Sequence, residues 1–407
     1  MSLITYVTRI HFADRVIEDA LGEELARLGV RRPLVVTDAG AEGDEDLERL
    51  MAALPGRRAP VLAADPDMPL TPLARAVRAR ARAEGCDALL ALGGPAALDG
   101  ARLAGLAGGP DASGPEGGGA RPRLVAAPGR WLPVVVVPTL PGQGMGLFPV
   151  LRLEPAGEEE PPRSLACDGL VPALVLCDPT LGADLAPARL AASGFDALIH
   201  CIEAWLATGW NPPADGIALE GVRRAVGGAF GGGAAALLRA VEAPQDTGAR
   251  RELLAAGLNA GLAAPKGLGA VHALAHALEA HLRPGLPAAD PWHGRLHAAL
   301  MPHVLAFNAP AVPGRLAQLA QAMGLGPDET PAEALARLGA RLGLPGTLAG
   351  LGIGPGALAG IARRAEADPA NRTNPRLARA ADHARLLEAA GAGQPQEQAR
   401  ASGAPQG

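Results

Sequence analysis

The sequence predicts an α/β N-terminal domain built on a parallel sheet, followed by an all-α C-terminal domain. Three observations carry that expectation. The first half alternates short Val- and Leu-rich runs with helical patterns, the second half consists of long Ala/Leu-rich stretches of helical period, and the change falls just after Asp178-Pro179. With 407 residues and 48% apolar content, the chain has length for two or three domains with real cores.

The elements follow in order. Residues 33–38, 59–62, 87–94 and 133–138 are apolar runs of strand length, and the helical pattern around residues 73–83 separates two of them, as βαβ units require. The Gly/Pro-rich residues 108–129 read as an excursion, and residues 154–162 as a hairpin tip between two short strands. The α/β domain is expected over 1–182 and the helical domain over 183–390. The Gly-, Gln- and Pro-rich residues 391–407 are too polar to bury a core and are expected to be disordered.

Composition removes several classes of function. The 37 basic and 42 acidic residues leave a net charge of −5 with no concentrated basic face, so nucleic acid is not an expected partner. The longest apolar block, near Leu132 to Val137, is far short of the roughly 20 residues a membrane helix needs. Met1-Ser2-Leu3-Ile4-Thr5-Tyr6 lacks a basic-then-apolar signal pattern, and a cytoplasmic location is expected. Cys86, Cys167, Cys177 and Cys201 form no CxxC pair, so neither a disulfide framework nor a zinc cluster of cysteines is suggested. Lys266 is the only lysine, a bias that makes any single arginine less informative.

Six of the nine histidines, from His272 to His303, fall within 32 residues, where even scattering would place fewer than one. His272 and His276 are four apart and share one helix face, as do Asp196 and His200. Two such faces packed together would supply a carboxylate and several imidazoles, a donor set suited to Zn²⁺ or Fe²⁺. A polar helix seam of mutually hydrogen-bonded histidines would produce the same spacing.

Several segments go further. Asp178-Pro179-Thr180-Leu181, Ala192-Ser193-Gly194-Phe195-Asp196-Ala197-Leu198-Ile199-His200, Gly267-Leu268-Gly269-Ala270-Val271-His272-Ala273-Leu274-Ala275-His276, His293-Gly294 and Leu300-Met301-Pro302-His303 resemble the iron-containing (group III) alcohol dehydrogenase family. Asn374-Pro375-Arg376 extends the resemblance nearly to the end of the chain. It implies a Rossmann-like dinucleotide-binding domain, a helical metal-binding domain and an active site between them. Matched position by position, the family's metal ligands fall on Asp196, His200, His272 and His293. His276 falls on the histidine placed close to nicotinamide and substrate. Residues 282–287 read as an added loop, and His297, His303, His11 and His383 are expected to be structural. A divalent ion so held is a Lewis acid that lowers an alcohol's pKa and polarises a carbonyl, whether the metal is iron or zinc.

The dinucleotide site departs from the pattern. Where the family reads Gly-Gly-Gly-Ser-x-x-Asp, this chain has Gly93-Gly94-Pro95-Ala96-Ala97-Leu98-Asp99; Pro95 has no N–H and Ala96 no hydroxyl. The next family loop, Pro-Thr-Thr-Ala-Gly-Thr-Gly-Ser-Glu, appears as Pro138-Thr139-Leu140-Pro141-Gly142-Gln143-Gly144-Met145-Gly146, without three hydroxyls and a carboxylate. The resemblance leaves Asp38, Gly93, Gly94, Asp99 and Thr139 as cofactor contacts, with Asp38 on the adenosine ribose favouring NAD over NADP. Each lost hydrogen bond to a phosphate is worth roughly 1.5–3 kcal/mol, so NAD(H) binding is expected to be weak. Thr139, Gln143, Arg102 and Arg163 are the nearby donors that could compensate. The leading expectation is a metal-dependent dehydrogenase or reductase of a small alcohol, aldehyde or hydroxy acid, with a homodimer as one possible assembly. The alternatives are a metal-dependent lyase, isomerase or hydrolase that has lost nicotinamide use, and a catalytically silent subunit.

Overall fold

A computed structural model describes residues 8–38, 44–106, 132–153, 163–227, 235–282, 292–351, 353 and 358–391. The excursion at 108–129, the hairpin tip at 154–162, most of the added loop after Leu282 and the tail beyond Gly391 lie outside the described residues.

Six parallel strands build the first half: β1 (Arg9–Phe12), β2 (Pro33–Asp38), β3 (Val61–Ala64), β4 (Ala88–Gly93), β5 (Val134–Pro138) and, after a small hairpin, β8 (Leu174–Cys177), in the order β1-β8-β5-β4-β2-β3. The hairpin is β6 (Val150–Leu153) paired antiparallel to β7 (Arg163–Ala166), the two short strands expected around residues 154–162. Alternation along the buried strands divides the core. Leu34 and Val36 pack with Leu89, Ala91 and Val136 against helices α3 (Leu70–Ala83) and α4 (Pro95–Gly105). On the other face, Val35, Leu90, Leu92 and Val137 pack against α1 (Val16–Arg27) and α2 (Glu45–Ala53). Strand β3 runs two residues later than the sequence suggests. The pair β1 and β8 was not legible, because each is only 4 residues long and the first is an edge strand carrying Arg9 and His11.

After β2 the chain moves outward to β3 and then returns to the far side of β2 as β4, which opens a crevice beyond the ends of β2 and β4. Asp38, Gly93 and Gly94 stand at that switch point.

Among the described residues from Pro187 onward there are helices and no strand. They are α5 (Pro187–Leu206), α6 (Pro212–Val226), α7 (Ala236–Glu242), α8 (Thr247–Ala263), α9 (Ala270–Leu282), α10 (Trp292–Asn308), α11 (Pro313–Met323), α12 (Pro331–Arg341), α13 (Leu358–Ala367) and α14 (Ala380–Ala389). None of the described helices is long and apolar enough to cross a membrane. Helix α5 is the axis of this half: every residue from Leu190 to Leu206 is buried, under α6, α8 and α10. Such all-round apolarity suits a central helix, and it leaves Asp196, His200 and Glu203 as buried polar groups in need of partners.

The segment after β5 joins the two halves. Its residues 143–146 all take positive φ, including Gln143 (49°) and Met145 (54°), where a side chain costs on the order of 1–3 kcal/mol. The loop lies on α8 at Gly257 and Gly261, where a Cβ would come within 2.4 Å of the carbonyl oxygens of Pro141 and Gly144 respectively.

Candidate metal centre and cofactor crevice

Helices α5, α9 and α10 bring the histidines together. A Cβ at Gly294 would stand 1.9 Å from the Ala192 carbonyl oxygen, so this glycine is what lets α10 lie against α5 beside His293. The i,i+4 faces then converge: His200 Nε2 and His272 Nε2 are 2.9 Å apart, and the His272 and His293 ring centres 5.3 Å apart.

Every one of the four expected imidazoles has its Nδ1 occupied. His200 Nδ1 meets the Asp196 carbonyl oxygen at 3.0 Å, His272 Nδ1 the Glu203 carboxylate at 2.7 Å, and His293 Nδ1 the Glu279 carboxylate at 2.7 Å. His276 Nδ1 meets Asp368 at 3.1 Å. With the proton on Nδ1, each ring presents a bare Nε2, the arrangement that outer carboxylates impose on metal-binding histidines. The Nε2 atoms of His200 and His272 stand 2.9 Å apart, a separation that either one proton or a shared cation bridges.

The charges agree. Burial drives the His272 pKa well below its usual value, with the neighbouring imidazoles adding to the effect, so the ring is neutral as a ligand must be. Burial would raise the Asp196 carboxyl, but His200, His297 and His293 outweigh it and hold the group well below the carboxylate range. Burial pushes Glu203 up to about 7 against the backbone N–H groups of Val271, His272 and Gly269 that donate to it. Asp196 divides its two oxygens: Oδ2 accepts the Gln143 N–H at 2.6 Å, whereas the buried Oδ1 has no hydrogen-bond partner. An orphaned buried carboxylate oxygen among buried imidazoles fits a divalent cation, and the residues present could hold one.

Ligand atoms of Asp196, His272, His293 and His297 all lie within 4.8 Å of one another; the expected ligand His200 is not in that set and meets it through the 2.9 Å contact of its Nε2 with His272 Nε2. His297 therefore stands in the cluster, although its sequence position suggested a structural residue. Reasoning from sequence also missed Glu203, Glu279 and Asp368. The first two were within reach, because Glu203 lies three residues beyond His200 and Glu279 three beyond His276, on the same helix faces. Asp368 is 92 residues from His276 and gave no local signal.

The crevice is different in kind. Asp38 Oδ2 accepts the Gly94 N–H at 3.1 Å and pairs with Arg189 Nη2 at 3.0 Å, so the residue expected on a ribose lies across the turn itself. Asp99 pairs with Arg102 at 2.5 Å. Arg102 is buried, donating also to the carbonyl oxygens of Leu170 and Phe148, which removes it from the donors available to a phosphate. The Thr139 N–H is spent on the Gly93 carbonyl at 3.0 Å and the Gly142 N–H on Ser193 Oγ at 2.8 Å. Arg189, from the start of α5, is the cation that does reach the turn: a Cβ at Gly94 would be 3.1 Å from its guanidinium. Arg163 has its backbone in β7, but its side chain lies outside the described residues.

Residues 8–179 match the iron-containing alcohol dehydrogenase family, and residues 190–391 the C-terminal part of the Fe-containing alcohol dehydrogenase family. The 4-hydroxybutyrate dehydrogenase of Cupriavidus necator is 36% identical over 406 aligned residues, covering 95% of this chain and 99% of the relative. The maleylacetate reductase of Rhizobium sp. (strain MTP-10005) is 31% identical over 352, covering 86% of each. A crystal structure of 1,3-propanediol oxidoreductase superposes with a TM-score of 0.81 at 26% identity, covering 96% of this chain and all of that one. The chain belongs to the iron-containing alcohol dehydrogenase family and is an oxidoreductase of that fold.

Proposed function

We propose that the chain interconverts a small hydroxy acid and the corresponding aldehyde or oxo acid, exchanging a hydride with NAD(H) at a divalent metal held by Asp196, His200, His272 and His293. The observation that carries this reading is the set of buried imidazoles whose Nδ1 atoms are anchored to oxygen and whose rings gather around Asp196, the Oδ1 of which has no hydrogen-bond partner. The metal, when bound, supplies Lewis-acid polarisation of the substrate oxygen.

The protein's own groups do the rest. His276 is one turn beyond His272 and fixed by Asp368, so its Nε2 can take a proton from the substrate alcohol and return it on reduction. Burial, then Arg152, lower its pKa to about 4 against the pull of Asp368, so the ring is unprotonated at neutral pH. Arg152, on β6, reaches Asp368 at 3.1 Å and is the cation beside this proton path. Two relatives are named for substrates that carry a carboxylate, and Arg152 is the group we assign to receive one. At the crevice, Asp38 would disfavour a 2′-phosphate, and Arg189 would meet the pyrophosphate once Asp38 turns to the ribose. The comparisons give the non-redox and silent readings no support.

The test is turnover by the metal-loaded protein. NAD⁺ reduction with 4-hydroxybutyrate should exceed that with 1-butanol, and Arg152→Ala should erase the preference. His276→Ala should keep the metal and lose about 10²–10⁴-fold in rate. Absence of nicotinamide turnover with every small alcohol and aldehyde tried would overturn the proposal.

A further inference from the structure

We infer that His297 is a fifth protein ligand of the metal, so that four imidazoles and the Asp196 carboxylate surround it; this rests on the metal centre proposed above. His297 is fully buried, and both of its ring nitrogens lack a hydrogen-bond partner. Its Nδ1 lies 3.1 Å from Asp196 Oδ1, an atom that also has no hydrogen bond, so the two are close without being bonded to each other in a hydrogen-bonding geometry.

A buried imidazole with neither nitrogen satisfied is a desolvated group without compensation, and native structures keep few of them. The neighbourhood says what the compensation is. The His297 ring centre is 4.3 Å from that of His293 and 4.4 Å from that of His272, and the ligand atoms of these three rings and Asp196 are mutually within 4.8 Å. Around one ion with bonds of about 2.1 Å, neighbouring atoms of a five-coordinate sphere would be about 3.0–3.6 Å apart, so modest side-chain adjustment gathers these four, and His200 joins them through its 2.9 Å contact with His272. His297 is four residues beyond His293 on α10, and the same contact at Gly294 that brings His293 against α5 brings His297 with it.

His297 also differs from its neighbours. The Nδ1 atoms of His200, His272, His276 and His293 all meet oxygen in hydrogen-bonding geometry, whereas His297 Nδ1, 3.1 Å from Asp196 Oδ1, does not. Without a fixed tautomer it can bind through either nitrogen, and its ligation is the adaptable part of the sphere. A sphere of four imidazoles and one carboxylate favours nitrogen-preferring ions such as Zn²⁺, Fe²⁺ and Co²⁺ over Mg²⁺ or Ca²⁺.

The test uses the full chain, stripped of metal and reloaded with Zn²⁺ or Co²⁺. X-ray absorption of the wild type should count four imidazoles and that of His297→Asn three, with Zn²⁺ affinity falling about tenfold or more and the Co²⁺ visible spectrum changed. In the metal-free protein, His297→Phe should raise the unfolding temperature, because it removes an uncompensated buried polar group. An unchanged imidazole count and affinity in His297→Asn would make His297 a packing residue and overturn the inference while leaving the metal centre intact. A wild-type chain that takes up none of these ions would overturn the metal centre and this inference together.

Discussion

The cluster on α5, α9 and α10 and the crevice beyond β2 and β4 are two polar sites within one chain, and they treat their donors in opposite ways. In the cluster, outer groups fix the side chains and leave inner atoms facing one another: Glu203 and Glu279 hold Nδ1 atoms, while Asp196 Oδ1 and both His297 nitrogens have no hydrogen-bond partner. In the crevice the protein satisfies itself. Asp38 Oδ2 takes the Gly94 N–H, Arg102 is buried in carbonyl contacts, and Pro95 offers nothing; what is left without a partner is an acceptor, Asp38 Oδ1, which repels a phosphate. A site is prepared for a ligand to the extent that its polar atoms are held in place yet not consumed. By that measure the metal is expected to bind tightly and the dinucleotide to bind against competition.

The largest effect should come from the cluster. His272→Ala and His200→Ala should each reduce bound metal to near background by elemental analysis, while Glu203→Gln should retain it with affinity lowered 10–100-fold, the usual cost of losing an outer partner. Unchanged metal content in both histidine variants would break the comparison at its stronger side.

The crevice gives the next effect. Calorimetry on the metal-loaded wild type should find NADH affinity weaker than low micromolar, and Arg189→Ala should weaken it about tenfold further, since a charged contact to phosphate is worth about 1.5–3 kcal/mol. Restoring donors should act the other way. Pro95→Gly with Ala96→Ser returns one N–H and one hydroxyl, and should tighten binding about tenfold without altering metal content. A low-micromolar wild type, indifferent to Arg189, would mean that the turn is not the phosphate site.

The same contrast explains what could be read in the sequence. Strands β2, β4 and β5 declared themselves because central parallel strands are buried on both faces and must be apolar throughout, whereas β1 and β8 are short and β1 lies at an edge. Asp196, His200, His272 and His276 were visible as helix-face pairs, and resemblance added His293. The role of His297 was hidden, because its company depends on the approach of α10 to α5 at Gly294 and not on spacing. Asp368 and Arg189 were hidden for a related reason: each meets its partner across more than 90 residues of chain. In the crevice the missing donors were legible, but the substitution of Asp38 for an incoming anion was not, since it needs the distance from β2 to the turn after β4.

The smallest effect concerns His383, on α14, which shares with His297 full burial and two unpartnered ring nitrogens but stands outside the metal cluster. Burial lowers its pKa to about 4, against the pull of Glu366, Asp382 and Asp368. An unfolded histidine titrates near 6.5, so the unfolded chain takes up the proton first as pH falls. The stability this residue contributes is present above about 6.5, declines from there toward pH 4, and is fully lost below the folded value. Wild type and His383→Leu should therefore differ by a few degrees in how far the unfolding temperature drops between pH 7 and pH 4.5, with the wild type falling further. Zn²⁺ divides the two kinds of buried histidine. It should protect the cluster's contribution to the pH profile, because a ligated imidazole must lose its metal before it can be protonated, and it should leave the increment due to His383 unchanged. An increment that disappears on adding Zn²⁺ would place His383 under the control of the metal centre and remove the distinction between them.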